Sequence, residues 1–597
     1  MSNHMQNSLK RSLGRPHPGY FCRRSCSRRF AFVASLLPSA GRSEPRLPDL
    51  CMERPDGSQT RIPEDALYKY TRHRWLVDEQ TELSKRYLKF NLRGLIDVAV
   101  GVCEGARNCT RVIKCSESLN SKAFILRMDN GMEVVAKLPF PGAGAAKYAT
   151  ASEVATHELL RNVLKLPVPQ VLAWSYDTSS NPVGAEYIIS EKAPGVRLSS
   201  VWEQWPRKSK VKMVEQITDM ENTLSSVSFS SHGSLYLKDD LRTLTGNVHD
   251  ISAEGVPDEA LRRFTIGPLT SSELWEGNRG EMDLDRGPWR TASDYTRAMG
   301  WNEIAWVREH AIPRINQYRS SDPFETPSNG IALLTQYMNT AAYLVPPPTG
   351  DTNDAASSNV LWHPNLQLDN VFVDPRTHQV TSIANWQSAR VAPLFYQSDI
   401  PAMFKYSGPV SEGWAVPERP ADFGSLSAAE KSKIDTDLES ETLHKLYESL
   451  VYKRSPHHWS VLSNPALEAL RQPTSLVTKV WETHNLFSLR DSLITLSTQW
   501  DTLFPESTLP CPIRFTEKEL EMHRKEKENM QGVGAIMALL RDGGALPAND
   551  GMIESEDFEM AQSNNRKFKE VFVRGAEGGE ERELFDRLWP YQEPRAA

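Results

Sequence analysis

The stretch that most limits what this chain can fold into runs from Cys109 to Lys192. Cys109 to Lys114 is a short β-prone run, and ESLNSKAFILRM then leads through DNG into MEVVAKLPF. Asn130-Gly131 between two β-prone runs predicts a hairpin closed by a type I′ turn, since both central positions of that turn want positive φ. The second arm ends in VVAK, which places Lys137 on a central strand among apolar neighbours. The alternative for this segment alone is an edge strand with Lys137 turned to water. PFPGAGAAKYATAS lacks the GxxxxGK[ST] spacing of a phosphate loop and reads as a connector. SEVATHELLRNVL predicts a helix with Ser152 as N-cap and Glu153 at its start. VPQVLAWSYD and GAEYIISEKAPG supply two more strands, the second ending in a Pro-Gly turn.

Composition sets the outer limits. A chain of 597 residues suits two or three domains, and 39% hydrophobic content with 15 tryptophans is enough for substantial cores. A net charge of -7 argues against a general nucleic-acid binder. The 7 cysteines form no CxxC pair and have no His-rich partner run, so reduced thiols are expected and a zinc site is not. No run approaches about 18 apolar residues, so no membrane span is expected. Lys10, Arg11, Arg15, Arg23, Arg24, Arg28, Arg29 and Arg42 all precede the first acidic residue, Glu44. Arg-rich, Ser-rich and free of acids, residues 1–43 have the composition of a mitochondrial transit peptide, with a basic tail as the other reading.

Along the rest of the chain, residues 44–67 are Pro-rich and polar and read as a linker. Tyr68 to Phe90 reads as a helix with an irregular approach, and FNLRGLIDVAVGVC as a helix with apolar residues at helical spacing. Beyond Leu198 the pattern is helical, with a break near Pro206. Leu237 to Arg290 is irregular, and its GPW run, Gly287 to Trp289, reads as packing. Tyr295 to Tyr318 and Asn329 to Leu344 read as helices. His157 is expected on a helix surface, and His457 and His458 in a loop. FTEKELEMHRKEKENMQGVGAIMALLRD opens with a capping box, Thr516 and Glu519.

The second informative stretch is LWHPNLQLDNVFVDPRTHQVTSIANWQ, Leu361 to Gln387. It predicts a loop, a short strand, a turn and a second strand. His363, Asn365, Asp369, Asn370 and Asn385 crowd into it. Taken in order, VVAK, Glu153, YIISEKAPG, HPNLQLDN and IANW resemble the aminoglycoside/choline phosphotransferase branch of the protein-kinase-like superfamily. NPVGAEYIISEKAPG, FILRMDNGMEVVAKLPFP, SEVATHELLR, LWHPNLQLDNVFVDP and WQSARVAPLF are similar to runs of the fungal group around altered inheritance of mitochondria protein nine. The resemblance covers roughly Tyr68 to the mid-500s.

That resemblance implies roles. Lys137 would hold the α/β-phosphates of ATP and Glu153 would hold Lys137. Ile188 to Lys192, with Glu191, would present backbone groups to adenine. Asn365, two residues after His363, occupies the position of the catalytic Asp. Asn370 keeps the position of a Mg²⁺ ligand, and Asn385 occupies that of the metal-binding Asp. In the flap over the phosphates, ESLNSK, Ser118 replaces the family's glycine. An asparagine amide is not basic near pH 7, so Asn365 cannot serve as general base. Mg²⁺ prefers anionic oxygen, so the metal site is weakened. Asp369 or Asp374 substituting for the missing acids stays open.

The sequence therefore predicts an α+β, two-lobed protein-kinase-like fold with a helical C-terminal extension. The small lobe is expected over 68–192, the large lobe over 193–505 with the catalytic-loop-like segment at 361–390, and a helical, partly flexible extension over 506–597. The expected function is a degenerate phosphotransferase in mitochondria that binds nucleotide, with an active ATP/Mg-dependent kinase for a small hydroxylated substrate as the alternative. A cytoplasmic location is the alternative to the mitochondrial one.

Overall fold

The computed structural model describes residues 48–597 except 55–56, 143, 320–322, 347–355, 412, 484–485, 506–509, 543, 548–550 and 593–597. The basic segment 1–43 lies outside the described residues.

A seven-stranded sheet carries the N-terminal lobe. Its strand order is Gln59–Arg61, Asp49–Glu53, Cys109–Lys114, Ser121–Met128, Glu133–Pro139, Tyr187–Glu191, Val171–Ser175. All neighbours are antiparallel except Asp49–Glu53 beside Cys109–Lys114. Alternation explains which side chains face inward. Val134, Ala136 and Leu138 are buried with Phe124, Leu126 and Ile189 against the helix Leu92–Val102. Lys137 therefore projects from the opposite face, paired across the ladder with Ala123 and Ile188. It sits on a central strand, as its apolar neighbours predict.

Four local expectations in the N-terminal lobe's backbone need correction. The hairpin turn is not type I′. Only Gly131 has positive φ (84°), the Gly131 N–H donates to Met128 O, and the Met128 N–H donates to Met132 O. This is a three-residue loop with glycine in the left-handed position, and the Asn130 side chain instead accepts from the Met132 N–H at 3.0 Å. The stretch 44–67 is not merely a linker: Asp49–Glu53 joins the sheet, and Cys51 buries its thiol there. Tyr68 to Phe90 is not one helix but a strand, His73–Trp75, and a short helix, Glu79–Lys85. Ser152 caps nothing, because the helix starts earlier, at Tyr148–Glu158, and Ser152 is buried inside it. A π-helical turn, Leu159–Val163, continues that helix.

The second lobe is mainly helical. Arg207–Ser225, Ala292–His310, Pro327–Thr340, Ala428–Arg454, Pro465–Val477 and Leu486–Thr498 pack around one large apolar cluster. Among the small sheets set between these helices, two bear on the site. One runs Ala253–Glu254, Ser228–Phe229, Asn359–Trp362, Arg390–Pro393. The other runs Gln379–Ile383, Val371–Asp374, Val196–Arg197. The segment 361–390 thus connects both sheets, with the expected loop, strand, turn and strand. His457 and His458 lie in the helix Pro456–Leu462 rather than a loop, because Pro456 is at its first position. His157 is buried rather than exposed, with Nδ1 3.1 Å from Pro169 O.

The C-terminal residues close back on both lobes. Thr516 and Glu519 form the expected capping box at the start of the helix Glu517–Asp542. From that helix Glu526, 1% exposed, binds Arg319 and Arg490, which share a buried network with Glu325 and Arg314. Met552–Glu554 then pairs antiparallel with His73–Trp75. The architecture is an α+β kinase-like fold, an N-terminal mixed sheet followed by a mainly helical region. No described helix is long and apolar enough to cross a membrane.

Candidate functional site

The Lys137 Nζ lies 2.7 and 2.9 Å from the two carboxylate oxygens of Glu153. The strand Glu133–Pro139 fixes the lysine and the helix Tyr148–Glu158 fixes the acid, half-shielded from water. A salt bridge formed between two rigid elements loses little side-chain entropy, so this pair holds the ammonium in one place.

The 361–390 segment is held by its own polar groups. His363 Nδ1 accepts the Asn365 N–H at 3.1 Å, so the ring proton sits on Nε2 and donates to Ala384 O at 3.0 Å. Burial pushes the His363 pKa down to about 4, which keeps the ring neutral near pH 7. Trp386 packs edge-on against it. Asn370 Nδ2 donates to Asn365 O at 2.7 Å, and the Ala384 N–H donates to Asn370 O. His363 and Asn370 thus fix the backbone on both sides of Asn365. Asn385 sits at φ 66°. Asparagine tolerates that left-handed conformation better than most residues.

Asn365, Asn385 and Ser118 line one cavity of about 790 Å³. His363 and Asn370 lie directly behind its wall through the bonds above. Lys137 and Glu153 are paired but are not among the lining residues, and neither is Glu191. The Glu191 side chain instead accepts from the Gln170 N–H and pairs with Arg161.

The flap containing Ser118 is pinned from below. Ser118 Oγ accepts the Ser121 N–H at 3.0 Å, so serine closes a tight turn at this position. Next to it, Glu117 is 2% exposed and binds Lys122 Nζ at 2.6 Å, Lys114 Nζ at 3.1 Å and the Thr71 N–H at 2.7 Å. Arg72 adds a bond to Glu117 O and pairs with Glu554 of the C-terminal strand. Met552 of that strand lines the same cavity.

The donor set does not suit Mg²⁺. The positions expected to hold it, Asn370 and Asn385, offer only neutral amide oxygens, whereas Mg²⁺ favours carboxylates and phosphates. Among the described residues no group of three or more His, Cys, Asp or Glu could hold a metal ion. Asp369 is engaged by Ser199 Oγ at 2.5 Å, and Asp374 accepts two backbone N–H groups of its own turn. Neither is on the cavity wall. The Lys137–Glu153 pair does suit a nucleotide phosphate.

Sequence reasoning missed the Glu117–Lys114–Lys122 cluster and the Met552–Glu554 strand. Pairings between residues several hundred positions apart leave no local pattern. The spacing of Lys114, Glu117 and Lys122 was the available signal.

Relatives carry the same overall chain. A subtelomeric hrmA-associated cluster protein of Aspergillus fumigatus is 31% identical over 518 residues, covering 81% of this chain and 97% of that protein. Altered inheritance of mitochondria protein 9, mitochondrial, of Yarrowia lipolytica is 24% identical over 487 residues, covering 77% of this chain and 81% of that protein. The chain belongs to the family of the Aspergillus fumigatus protein. Among solved structures, the streptomycin–ATP ternary complex of APH(2″)-IIa is 10% identical, covers 64% of this chain and 92% of that chain, and gives a TM-score of 0.30. No protein-family model matches the chain.

Proposed function

We propose that this protein is a degenerate phosphotransferase: it binds nucleotide in its cleft and transfers phosphate poorly or not at all. One observation carries the reading. Asn365 and Asn385 line the same cavity, at the two positions where the resemblance puts the catalytic and metal-binding acids. A positioned general base is worth roughly 10² to 10⁴ in rate, or about 3 to 5 kcal/mol of barrier. Losing the metal carboxylate adds to that deficit. Lys137 and Glu153 remain as a phosphate anchor. Lobes at 68–192 and 193–505 enclose the cleft in this reading, and residues 506–597 brace it.

The test is calorimetric titration of the full chain with ATP, with and without Mg²⁺. Micromolar ATP binding that changes little with Mg²⁺ supports the proposal. Rapid ATP turnover on a small hydroxylated substrate removes it.

An active kinase is the second reading. It is favoured by the intact Lys137–Glu153 pair at 2.7 Å and by the His363–Asn370 frame around Asn365. Turnover by the wild-type chain that disappears in Lys137→Met would establish it. For location, the Arg- and Ser-rich segment 1–43 and the mitochondrial name of the Yarrowia relative support import into mitochondria. Import of the full chain into isolated mitochondria, lost on deleting 1–43, checks this.

A further inference from the structure

The same cavity has a second group of polar residues on its wall: His232, Tyr295, Arg390 and Tyr396. They come from three separate parts of the chain, and the backbone fixes two of them side by side. Gly233 and Val391 exchange both N–H···O bonds at 2.9 Å, which places His232 and Arg390 on adjoining strands. His232 exchanges a second pair with Trp289, at 2.8 and 2.9 Å. Residue 233 must be glycine here, since a Cβ would stand 2.4 Å from Gly267 O.

His232 is 1% exposed and packs against the rings of Trp289 and Tyr295. Both of its ring nitrogens are buried without a hydrogen-bond partner among the described residues. Burial, then the Arg390 cation, holds the ring well below its ordinary pKa, so it is neutral and offers one donor and one acceptor. Such a buried orphan is costly unless something on the cavity side satisfies it. The Arg390 charge acts on His232, Tyr295 and Tyr396 alike.

The other charges on the wall are already answered or lie in water. Arg471 pairs with Glu468 and donates to Ser398 O at 2.8 Å. Arg72 pairs with Glu554, and Glu117 is held by its two lysines. Glu273 is exposed. Arg390 is left as a wall cation that forms no ion pair among the described residues.

We propose that this part of the cleft is a binding subsite for a small hydroxylated oxyanion. Its carboxylate or phosphate group is held by Arg390 and Tyr295, and its hydroxyl is held by His232. The planar guanidinium fork matches either oxyanion. The neutral imidazole matches a hydroxyl, which both donates and accepts. The proposal rests on the reading of this cavity as a ligand cleft, and it names the class of the second ligand.

The test is titration calorimetry of the full chain with inorganic phosphate, gluconate, sorbitol and kanamycin, each with a parallel ATP titration. Binding of phosphate or gluconate is expected, and the comparison of the two says which oxyanion is preferred. Arg390→Gln and His232→Phe should each weaken it at least tenfold and leave ATP affinity unchanged, which also shows that the variants fold. Equal binding of sorbitol, or preference for the cationic kanamycin, overturns the anionic class. Phosphate binding lost in Lys137→Met but kept in Arg390→Gln places the anion at the nucleotide anchor and overturns the subsite. ATP binding with no anion binding overturns this proposal alone, while anion binding without ATP binding overturns only the nucleotide reading.

Discussion

Replacing Glu117 by glutamine should show how firmly the flap is held. Glu117, Lys114 and Lys122 are at most 2% exposed, and the carboxylate meets both ammonium groups and the Thr71 N–H. Glutamine keeps the shape and removes the charge. Two buried lysines then lose their counter-ion, and the amide NH₂ meets donors. Removing one partner from a buried ion pair costs about 3 to 5 kcal/mol. Burial already lowers the Lys122 pKa to about 8, with Glu117 the main group opposing the shift, so Glu117→Gln should lower it further. The assay is urea unfolding followed by tryptophan fluorescence, alongside hydrogen exchange over 117–122 and 73–75. Glu117→Gln should lower stability by about 3 kcal/mol or more and loosen exchange in both segments. Lys122→Met in the same chain should restore part of the loss, because it removes an orphaned charge, giving a coupling of about 1 to 3 kcal/mol. A loss under about 1 kcal/mol, or strictly additive single effects, would refute the reasoning.

Other perturbations test other parts. Glu221 is buried beside the Tyr447 hydroxyl, 2.7 Å away, and burial raises its pKa to about 8. Its folded-state pKa is above the unfolded one, so this stability is full below pH ~4.5 and falls by up to about 1.4 kcal/mol per pH unit until pH ~8. Urea midpoints measured from pH 5 to 8 should fall more steeply in wild type than in Glu221→Gln. Lys137→Met removes the phosphate anchor and should weaken ATP about 10- to 100-fold, from a charge-assisted bond of about 1.5 to 3 kcal/mol. Glu526→Gln strands Arg319 and Arg490 at the base of the Glu517–Asp542 helix, and limited proteolysis should then release C-terminal fragments that wild type does not yield.

The parts of this fold that were legible are those written in local pattern. Alternation around Val134 to Leu138, the NG hairpin and the Thr516–Glu519 box each depend on neighbours in sequence. The strand position of Lys137 followed from them, and the order of motifs gave the kinase-like architecture. What failed was set by bonds and registers that residue type alone does not specify. Ser152 has the chemistry of an N-cap, but four more helical residues precede it because Ala145 and Lys147 carbonyls already accept helical bonds. Asn130-Gly131 carries a hairpin signal, yet the register of the two strands leaves three residues in the loop, so only Gly131 needs the left-handed region. Asp49–Glu53 reads as linker because Cys109–Lys114, the strand that joins it to the main sheet, is about sixty residues away. At the site, Asn365, Asn385 and Ser118 do meet in one cavity. His232 was invisible in SSHGSLY, because its significance lies in Arg390 on the adjoining strand.

The central claim is that the protein keeps the Lys137–Glu153 pair as a nucleotide anchor while the cavity lined by Asn365 and Asn385 has lost its acids. It is tested most directly by ATP binding and turnover in wild type beside the Asn365→Asp, Asn385→Asp double variant, with and without Mg²⁺. The account predicts that wild type binds ATP almost independently of Mg²⁺ and turns over at background, while the double variant gains Mg²⁺-dependent affinity. Wild-type binding that requires Mg²⁺, with turnover on a small hydroxylated substrate, would contradict it.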